Sequence, residues 1–227
     1  MDHIVKVIAI DGPAGSGKST VAKMVAAKLG FLYIDTGAMY RALTLKAVNE
    51  GVDLENANLL EELSKITDIK LEPVDSGVQV FLDGEDVSEK IRELSISEKV
   101  KYIARVEGVR ENMVKKQRSL GLDSNGAVLE GRDIGTVVFP DSKCKIFLDA
   151  NFEERVNRRY KEFIEKGKST TLEAISEDLK NRDHADFTRK AGPLKKAKDS
   201  IVIDTTGLTI DQVVEVILQH GKKLYDL

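Results

Sequence analysis

The chain has 227 residues, which is enough for one domain with a sizeable core, and a second independent domain is not expected. Its 35 Lys and Arg nearly balance its 38 Asp and Glu, so no strong net charge attracts it to nucleic acid or to an anionic membrane. Any anion binding must therefore be local. The single cysteine, Cys144, excludes an internal disulfide and a CxxC metal site and favours a reducing compartment.

The apolar patterning gives no sign of a membrane or secretory segment. No run approaches eighteen apolar residues, and the first strand carries a charge at Lys6 where a signal peptide would be apolar. The three histidines are isolated from one another and from Cys144, so a zinc site has little support. We expect a cytoplasmic protein in which Cys144 is a small apolar residue beside a strand.

Short apolar runs alternate with longer amphipathic segments along the chain. The alternation predicts an α/β protein with a parallel sheet and helices on both faces. The predicted strands are residues 4–10, 31–34, 126–130, 145–149 and 200–204. The predicted helices include 97–121, as two helices broken near Gly108, then 153–166 and 173–190.

Residues 12–19, between the first strand and a helix, form a complete GxxxxGK[ST] phosphate loop. Such a loop directs backbone N–H groups and the positive end of the helix at one point, where a polyphosphate fits. Lys18 is expected to reach the β- and γ-phosphates, and the Ser19 hydroxyl to bind Mg²⁺. The candidate residues for binding the donor nucleotide are Gly12, Pro13, Ala14, Gly15, Ser16, Gly17, Lys18, Ser19 and Thr20.

A second anion site is predicted after the second strand. Thr36 is a good N-cap for the next helix, and Arg41 lies just beyond its first turn, with Tyr40 beside it. Ligands of open α/β sheets bind at the carboxyl ends of the strands, so Arg41 is expected to reach a second phosphate near Lys18.

Residues 67–87 differ from the α/β pattern around them. Apolar and polar residues alternate there, and turn signals lie at 75–77 and 83–84. This segment predicts an antiparallel hairpin or meander inserted into the α/β frame.

Arginines dominate the second half of the chain. Arg132 and Asp133 follow the strand at 126–130, on the expected ligand edge. Arg155, Arg158 and Arg159 share a helical face ahead of a polar bend at 165–172, which predicts a mobile flap that covers the transferring phosphoryl group.

Further along, Arg182, Asp186 and Arg189 stand at i, i+4 and i+7 and are expected to share one helical face. Two guanidinium groups with a carboxylate between them can hold a phosphate and orient a base or sugar, although exposed salt-bridge ladders have the same spacing.

These motifs together resemble bacterial-type cytidylate kinases, which are nucleoside monophosphate kinases. The resemblance rests on GPAGSGKST, DTGAMYRA, DGEDVS, GRDIGTVVFPD, KIFLDA, the arginine-rich helix and RD-x-x-D-x-x-R. It implies a five-stranded parallel P-loop kinase core with an antiparallel insert and a helical lid. We expect a single domain, 1–227, in which residues 36–110 form the monophosphate-binding region, with the insert at 67–87, and residues 153–172 form the lid.

The resemblance also implies the reaction and its residues. The γ-phosphate of ATP would pass to CMP or dCMP with Mg²⁺, in pyrimidine nucleotide metabolism, in a monomer that binds neither nucleic acid nor membrane. Arg158 and Arg159 would be lid arginines, and Thr206 would lie near the adenine. The residues implied on the CMP side are Thr36, Tyr40, Arg41, Arg110, Arg132, Asp133, Arg182, Asp186 and Arg189.

Two positions differ from the family's usual pattern. Glu130 stands where an aspartate usually precedes Gly-Arg-Asp, and Lys101 stands where a serine commonly contacts the cytosine. The expected mechanism needs no covalent intermediate and no strong base, because the attacking phosphate is already anionic. Lys18, Arg132, Arg158, Arg159 and Arg189 would share the developing charge.

Three other readings stay open on sequence grounds. A switch GTPase shares the phosphate loop, but its Asn-Lys-x-Asp base-reading motif is missing from the sequence. A nucleic-acid-stimulated ATPase conflicts with the balanced charge and the lack of basic, aromatic runs. A kinase of another nucleoside monophosphate or small metabolite is the nearest alternative.

Overall fold

The computed structural model describes residues 6–74, 77–165, 167 and 169–225. Its strands are β1 (Val7–Asp11), β2 (Leu32–Asp35), β3 (Ile69–Val74), β4 (Gly77–Leu82), β5 (Glu85–Asp86), β6 (Ala127–Gly131), β7 (Cys144–Asp149) and β8 (Ile201–Asp204). Its α-helices are α1 (Lys18–Leu29), α2 (Thr36–Asn49), α3 (Ala57–Ile66), α4 (Leu94–Ala104), α5 (Glu107–Leu122), α6 (Phe152–Glu165), α7 (Leu172–Thr188) and α8 (Ile210–Tyr225).

A five-stranded parallel sheet in the order β2-β6-β1-β7-β8 forms the centre of the molecule. Side chains of β1 alternate between its faces, with Val7 and Ala9 in one core and Ile8 and Ile10 in the other. Both faces are buried, so the strand is a continuous apolar run. From β1 the chain crosses to β2 on one side of the sheet, and from β6 it crosses to β7 on the other side. This change of direction opens a crevice at the carboxyl edge.

Helices cover both sides of this sheet. Helices α1 and α8 pack together on the face of Ile8 and Ile10, while α2 and α5 cover the other face. The predicted fold class is thereby confirmed, with every predicted strand displaced by no more than a few residues. Ile4 and Val5 of the predicted first strand lie outside the described residues.

The predicted insert is a separate antiparallel sheet of β3, β4 and β5. Its buried side chains Ile69, Leu71, Val80 and Leu82 belong to the same core as α2, which attaches the insert to the main sheet. Two of the three residues of the predicted turn at 75–77, Asp75 and Ser76, lie outside the described residues.

The structure differs from the predictions in the position of a helix break and in the residue that caps α2. The break in 97–121 lies at Arg105 and Val106, and Gly108 is in the first turn of α5. Gly108 is needed for packing, because a Cβ there would overlap the Glu61 side chain of α3. The N-cap of α2 is Asp35, whose carboxylate accepts from the Ala38 N–H at 2.8 Å, and Thr36 is the first helical residue.

The remaining bulk features match the composition. Among the described residues, no helix is long and apolar enough to span a bilayer. Cys144 is fully buried beside Ile146, and burial raises the pKa of its thiol to about 12, so it is an unreactive core residue.

Candidate active site

One large cleft runs along the carboxyl edge of the sheet, with a volume of about 1840 Å³. This volume exceeds that of a typical single-ligand site and suits two ligands bound end to end. The predicted residues in its wall are Ala14, Gly15, Ser16, Gly17, Lys18, Ser19, Thr20, Thr36, Tyr40, Arg41, Arg110, Arg132, Asp133, Arg158, Arg159, Arg182, Asp186 and Arg189. The predicted residues Gly12, Pro13 and Thr206 lie outside this wall.

The phosphate loop leaves β1 and enters α1 through two glycines that other residues could not replace. Gly12 has φ +153°, and a Cβ there would lie 2.0 Å from the Leu148 carbonyl oxygen of β7. Gly17 has φ +88° and caps α1 in the left-handed region. The loop therefore presents backbone N–H groups at the helix N-terminus, which is a ready anion site.

Lys18 is held at the centre of the loop without a carboxylate partner within salt-bridge distance among the described residues. Its Nζ donates to the Pro13 carbonyl oxygen at 2.7 Å and lies 3.4 Å from Ser16 Oγ. Burial, and then the nearby positive charge of Arg132, lower the pKa of Lys18 to about 7. A bound phosphate would place negative charge in direct contact with the ammonium group and raise its pKa again.

Glu130 and Ser19 place hard oxygen atoms beside the loop. The Glu130 carboxylate is buried at the end of β6, accepts from the Tyr33 hydroxyl at 2.6 Å and is hydrogen-bonded to Ser19. Burial and the neighbouring Asp35 raise the pKa of Glu130 above its usual range. A cation would favour its ionised form, so the donor set fits Mg²⁺.

The described part of the chain holds no cluster of three or more His, Cys, Asp and Glu arranged as a metal site. That finding is compatible with Mg²⁺, which usually takes one or two protein oxygens and completes its shell with phosphates and water.

Arg110, Asp133 and Tyr40 form a buried group at one end of the cleft. The Arg110 guanidinium donates to the Asp133 carboxylate, and its carbon lies 5.4 Å from the centre of the Tyr40 ring. The Tyr40 hydroxyl is buried and has no hydrogen-bond partner among the described residues. An unpaired buried hydroxyl is costly, which is typical of a ligand-binding position.

Arg132, Asp186 and Arg189 form a second charged group. Arg132 Nε donates to Asp186 at 2.6 Å, and Arg189 donates to Asp186 at 3.2 Å. Burial opposes ionisation of Asp186, but the two arginines outweigh it and hold its pKa below the usual range. Arg189 caps α7 in an extended conformation, so Asp186 lies between the two arginines although Arg189 is past the helix end.

Arg182 is the least compensated arginine of this region. Its ion pair with Asp178, on the same helix, is 3.7 Å long. Burial, and then the positive charge of Arg132, lower its pKa. Arg132, Arg159 and Arg182 thus concentrate positive charge, which suits the stabilisation of a phosphoryl group during its transfer.

Arg155 differs from the other two predicted flap arginines, because its side chain is buried and fully engaged. It donates to Asp183 at 2.6 Å and to the Ala14 carbonyl oxygen of the phosphate loop at 3.0 Å. The prediction that Arg155 swings over the cleft with Arg158 and Arg159 is therefore wrong. Its contacts attach α6 and α7 to the phosphate loop.

Arg158 and Arg159 reach different parts of the cleft. Arg158 donates to the Thr205 hydroxyl and carbonyl oxygens at 2.9 and 2.7 Å. Arg159 donates to Glu162 at 2.6 Å and keeps a buried Nε with no hydrogen-bond partner in the described ranges. Of the predicted bend at 165–172, residues 166 and 168 lie outside the described residues.

The segment after β8 meets the cleft through Thr205, with Leu208 beside it. Thr206 is the next residue and does not line the cleft. Its hydroxyl accepts from the Asn151 N–H at 2.9 Å, which fixes the loop after β8. At the other end, Arg41 is paired with Asp35 at 3.0 Å, and the Thr36 hydroxyl donates to the Glu130 carbonyl oxygen at 2.6 Å.

Comparison with known proteins agrees with this geometry. A family described as cytidylate kinase matches residues 8–223. This chain belongs to the cytidylate kinase family. A cytidylate kinase of Caldanaerobacter subterraneus subsp. tengcongensis is 50% identical over 98% of this chain and 97% of the relative. One of Bacillus subtilis is 50% identical over 93% of this chain and 94% of the relative.

One solved structure of another kinase has a similar fold. A gluconokinase from Sinorhizobium meliloti has a TM-score of 0.51 and 11% identity, and the match covers 98% of this chain and 94% of that one. At this identity the likeness concerns the fold alone.

Residues that sequence reasoning missed in this cytidylate kinase family member act through distant partners. Asp11 accepts N–H groups of Ile134 and Gly135, and Asp183 holds Arg155. Asp11 precedes the phosphate loop directly, and an acidic residue in an otherwise apolar strand was the available signal. Asp183 follows Arg182 in the RD pair and had no separate signal.

Proposed function

We propose that the chain transfers the γ-phosphoryl group of ATP to CMP and dCMP, giving CDP or dCDP and ADP. One observation carries the proposal. The phosphate loop with Lys18 and the arginine group of Arg132, Arg182 and Arg189 line one cleft at the carboxyl edge of the sheet. This arrangement supports a polyphosphate site and a second phosphate site in the same cleft.

The donor half consists of the phosphate loop and the segment after β8. Lys18 and the loop N–H groups would hold the β- and γ-phosphates, and Arg158 with Thr205 would border the donor nucleoside. Mg²⁺, held by Ser19 with Glu130 nearby, would supply charge neutralisation between the phosphates.

In the acceptor half, base and phosphate would bind at different groups. Cytosine offers an acceptor at N3 beside an amino donor, and the Arg110 and Asp133 pair offers the complementary donor and acceptor. Uracil offers the reverse order at the same edge, so it would leave a buried charge unpaired. Tyr40 adds a ring and an unpaired hydroxyl at this end.

Arg132, Arg182 and Arg189, with Arg41, would hold the acceptor phosphate and share charge during transfer. Asp186 would orient Arg132 and Arg189, since it contacts both. Positioning and charge neutralisation account for most catalysis in phosphoryl transfer, and no base is required. Closure of residues 153–172 over the cleft would exclude water.

The wider context follows from the same reaction. We propose a single domain over 1–227, with residues 36–110 as the monophosphate-binding region and residues 153–172 as the lid. The enzyme would act as a cytoplasmic monomer in pyrimidine nucleotide metabolism.

The test is a steady-state comparison of kcat/KM for CMP, dCMP, UMP and AMP with ATP as donor. The expected order places CMP and dCMP at least about 100-fold above UMP, because uracil leaves the Arg110 and Asp133 pair unmatched. Equal kcat/KM values for CMP and UMP would refute the assignment of the base site. A preference for AMP would refute CMP as the acceptor.

A further inference from the structure

Asp11 is a buried carboxylate that the proposed reaction does not use. It ends β1, pairs with Gly131 of β6 in the parallel ladder, and is followed directly by Gly12 of the phosphate loop. Only 4% of its surface is exposed. Asp11 thus links the start of the phosphate loop to β6, the strand that precedes Arg132 and Asp133.

Both oxygens of this carboxylate bind one turn. Oδ1 accepts the Ile134 N–H and Oδ2 accepts the Gly135 N–H, each at 2.8 Å. These N–H groups open a π-helical turn, Ile134–Val138, immediately after Arg132 and Asp133. π-Helical turns are rare and occur frequently at functional sites.

The turn directly follows one member of each charged group of the acceptor half, Arg132 and Asp133. Arg132 precedes it by two residues and is bonded to Asp186, and Asp133 is its N-cap and is bonded to Arg110. A displacement of the turn therefore moves the guanidinium and the carboxylate together. The phosphate loop would stay in place, since β1 lies between β6 and β7.

The environment of Asp11 disfavours its ionised form. Burial raises the pKa of Asp11 to about 6, although the two N–H donors act in the opposite direction. The charged groups that act on it are Asp133 and Lys18, and the Lys145 side chain from β7 packs against the same Gly135. A group held in an unfavourable environment calls for a functional explanation.

Given the transfer reaction proposed above, we propose that Asp11 is a positioning residue that sets the distance between the phosphate loop and the acceptor arginines. It contacts neither nucleotide. Its carboxylate fixes the turn after Arg132 and Asp133 relative to Gly12, so that the acceptor oxygen meets the γ-phosphorus in line. Misplacement by about 1 Å costs roughly 100-fold in rate for reactions of this kind.

Asp11→Asn tests this role, because the amide keeps the shape but turns one acceptor into a donor that faces an N–H. The expected result is a kcat lower by about 100-fold, with KM for ATP within about threefold and a larger share of ADP formed without CDP. Tyr225→Phe is the matched control. It removes a buried bond to the Val7 carbonyl oxygen at the opposite end of β1, so it should lower Tm and leave kcat within about twofold.

Gly135→Ala decides the matter if Asp11→Asn does not fold. A Cβ at Gly135 would lie 3.4 Å from Asp11 Oδ2 and 3.3 Å from the Lys145 side chain, so it crowds the contact between Asp11 and the turn and keeps the charge. We expect kcat to fall by roughly tenfold. A folded variant of either kind with wild-type kcat overturns the proposal, as does a loss shared by Tyr225→Phe. A wild-type protein that makes no CDP refutes the transfer reaction itself.

Discussion

The two halves of the cleft hold their positive charge in opposite ways. On the donor side, the direct hydrogen-bond partners of Lys18 are neutral, the Pro13 carbonyl and the Ser16 hydroxyl, although Glu130, Asp186 and Asp11 are near enough to act on its charge. On the acceptor side, Arg110 and Arg132 are each paired with a buried or half-buried carboxylate. Lys18 therefore obtains a direct ionic partner from its ligand, whereas the arginines are oriented by carboxylates before a ligand binds.

This difference indicates how each half responds to damage. A lysine is a compact charge that can follow a mobile polyphosphate, and burial is the main cause that lowers the pKa of Lys18 in the free site. Guanidinium groups need a fixed plane to bind a phosphate in bidentate fashion, and the carboxylates supply it. Loss of Lys18 should remove positive charge from the site, and loss of a carboxylate should leave the arginines without a fixed orientation.

The largest effect is expected for Lys18→Ala. Transfer should fall by about 1,000-fold or more, since the transition-state charge loses its nearest cation, while the fold survives. Circular dichroism and kcat, beside exposed Lys28→Ala on the same helix as the control, measure both. Near-wild-type turnover in folded Lys18→Ala would contradict the donor assignment.

Asp186→Ala should break the acceptor half alone. It frees Arg132 and Arg189 from their shared carboxylate, so kcat/KM for CMP should fall by about 100-fold while KM for ATP changes less than about threefold. An equal loss for both nucleotides would mean that the halves are not separable.

Arg158→Ala and Arg159→Ala should lower kcat by roughly 10- to 100-fold at saturating CMP and ATP, because charge that arrives on closure stabilises the transition state most. Lys180→Ala is the control, as it removes a cation of α7 that lies over Phe152. If both variants raise only KM, the assigned roles are wrong.

The depressed pKa of Lys18 makes ATP binding depend on pH. With a pKa of about 7, the free lysine is mostly neutral at pH 8, and a bound polyphosphate raises its pKa again. Binding at pH 8 should therefore take up most of one proton, and affinity should fall as pH rises above 7. Calorimetry in two buffers of different ionisation enthalpy measures the uptake, which should vanish in Lys18→Ala.

The smallest effect is expected at Lys101, which lines the acceptor cleft from α4 and lies 5.2 Å from the Tyr102 ring centre. A cation near the base favours a carbonyl oxygen such as that of uracil. Lys101→Ser should raise the ratio of kcat/KM for CMP over UMP by about three- to tenfold. An unchanged ratio would show that Lys101 does not reach the base.

The sheet and the phosphate loop were predictable because their signals are local. The apolar run from Val7 to Ile10 and the GxxxxGK[ST] spacing each lie within a few neighbouring residues. The α2 cap was assigned one residue late, since Asp35 and Thr36 are both good caps and only the observed bond to Ala38 distinguishes them.

The rest of the site depends on contacts that local spacing does not contain. Asp11 meets its two N–H donors 123 and 124 residues away. Arg155 occupies the same helical face as Arg159, but its partner Asp183 lies on another helix. Helical spacing shows which residues share a face, and only the tertiary packing determines which of them are already engaged.

The most direct test of a donor half and an acceptor half joined in one cleft is the stoichiometry of products. ADP and CDP are measured by chromatography from wild-type protein with ATP and Mg²⁺, with and without CMP. We predict one CDP for each ADP, and ADP formation near background when CMP is left out. ADP formation at the same rate without CMP would contradict the account, because the arginine half would then have no acceptor to hold.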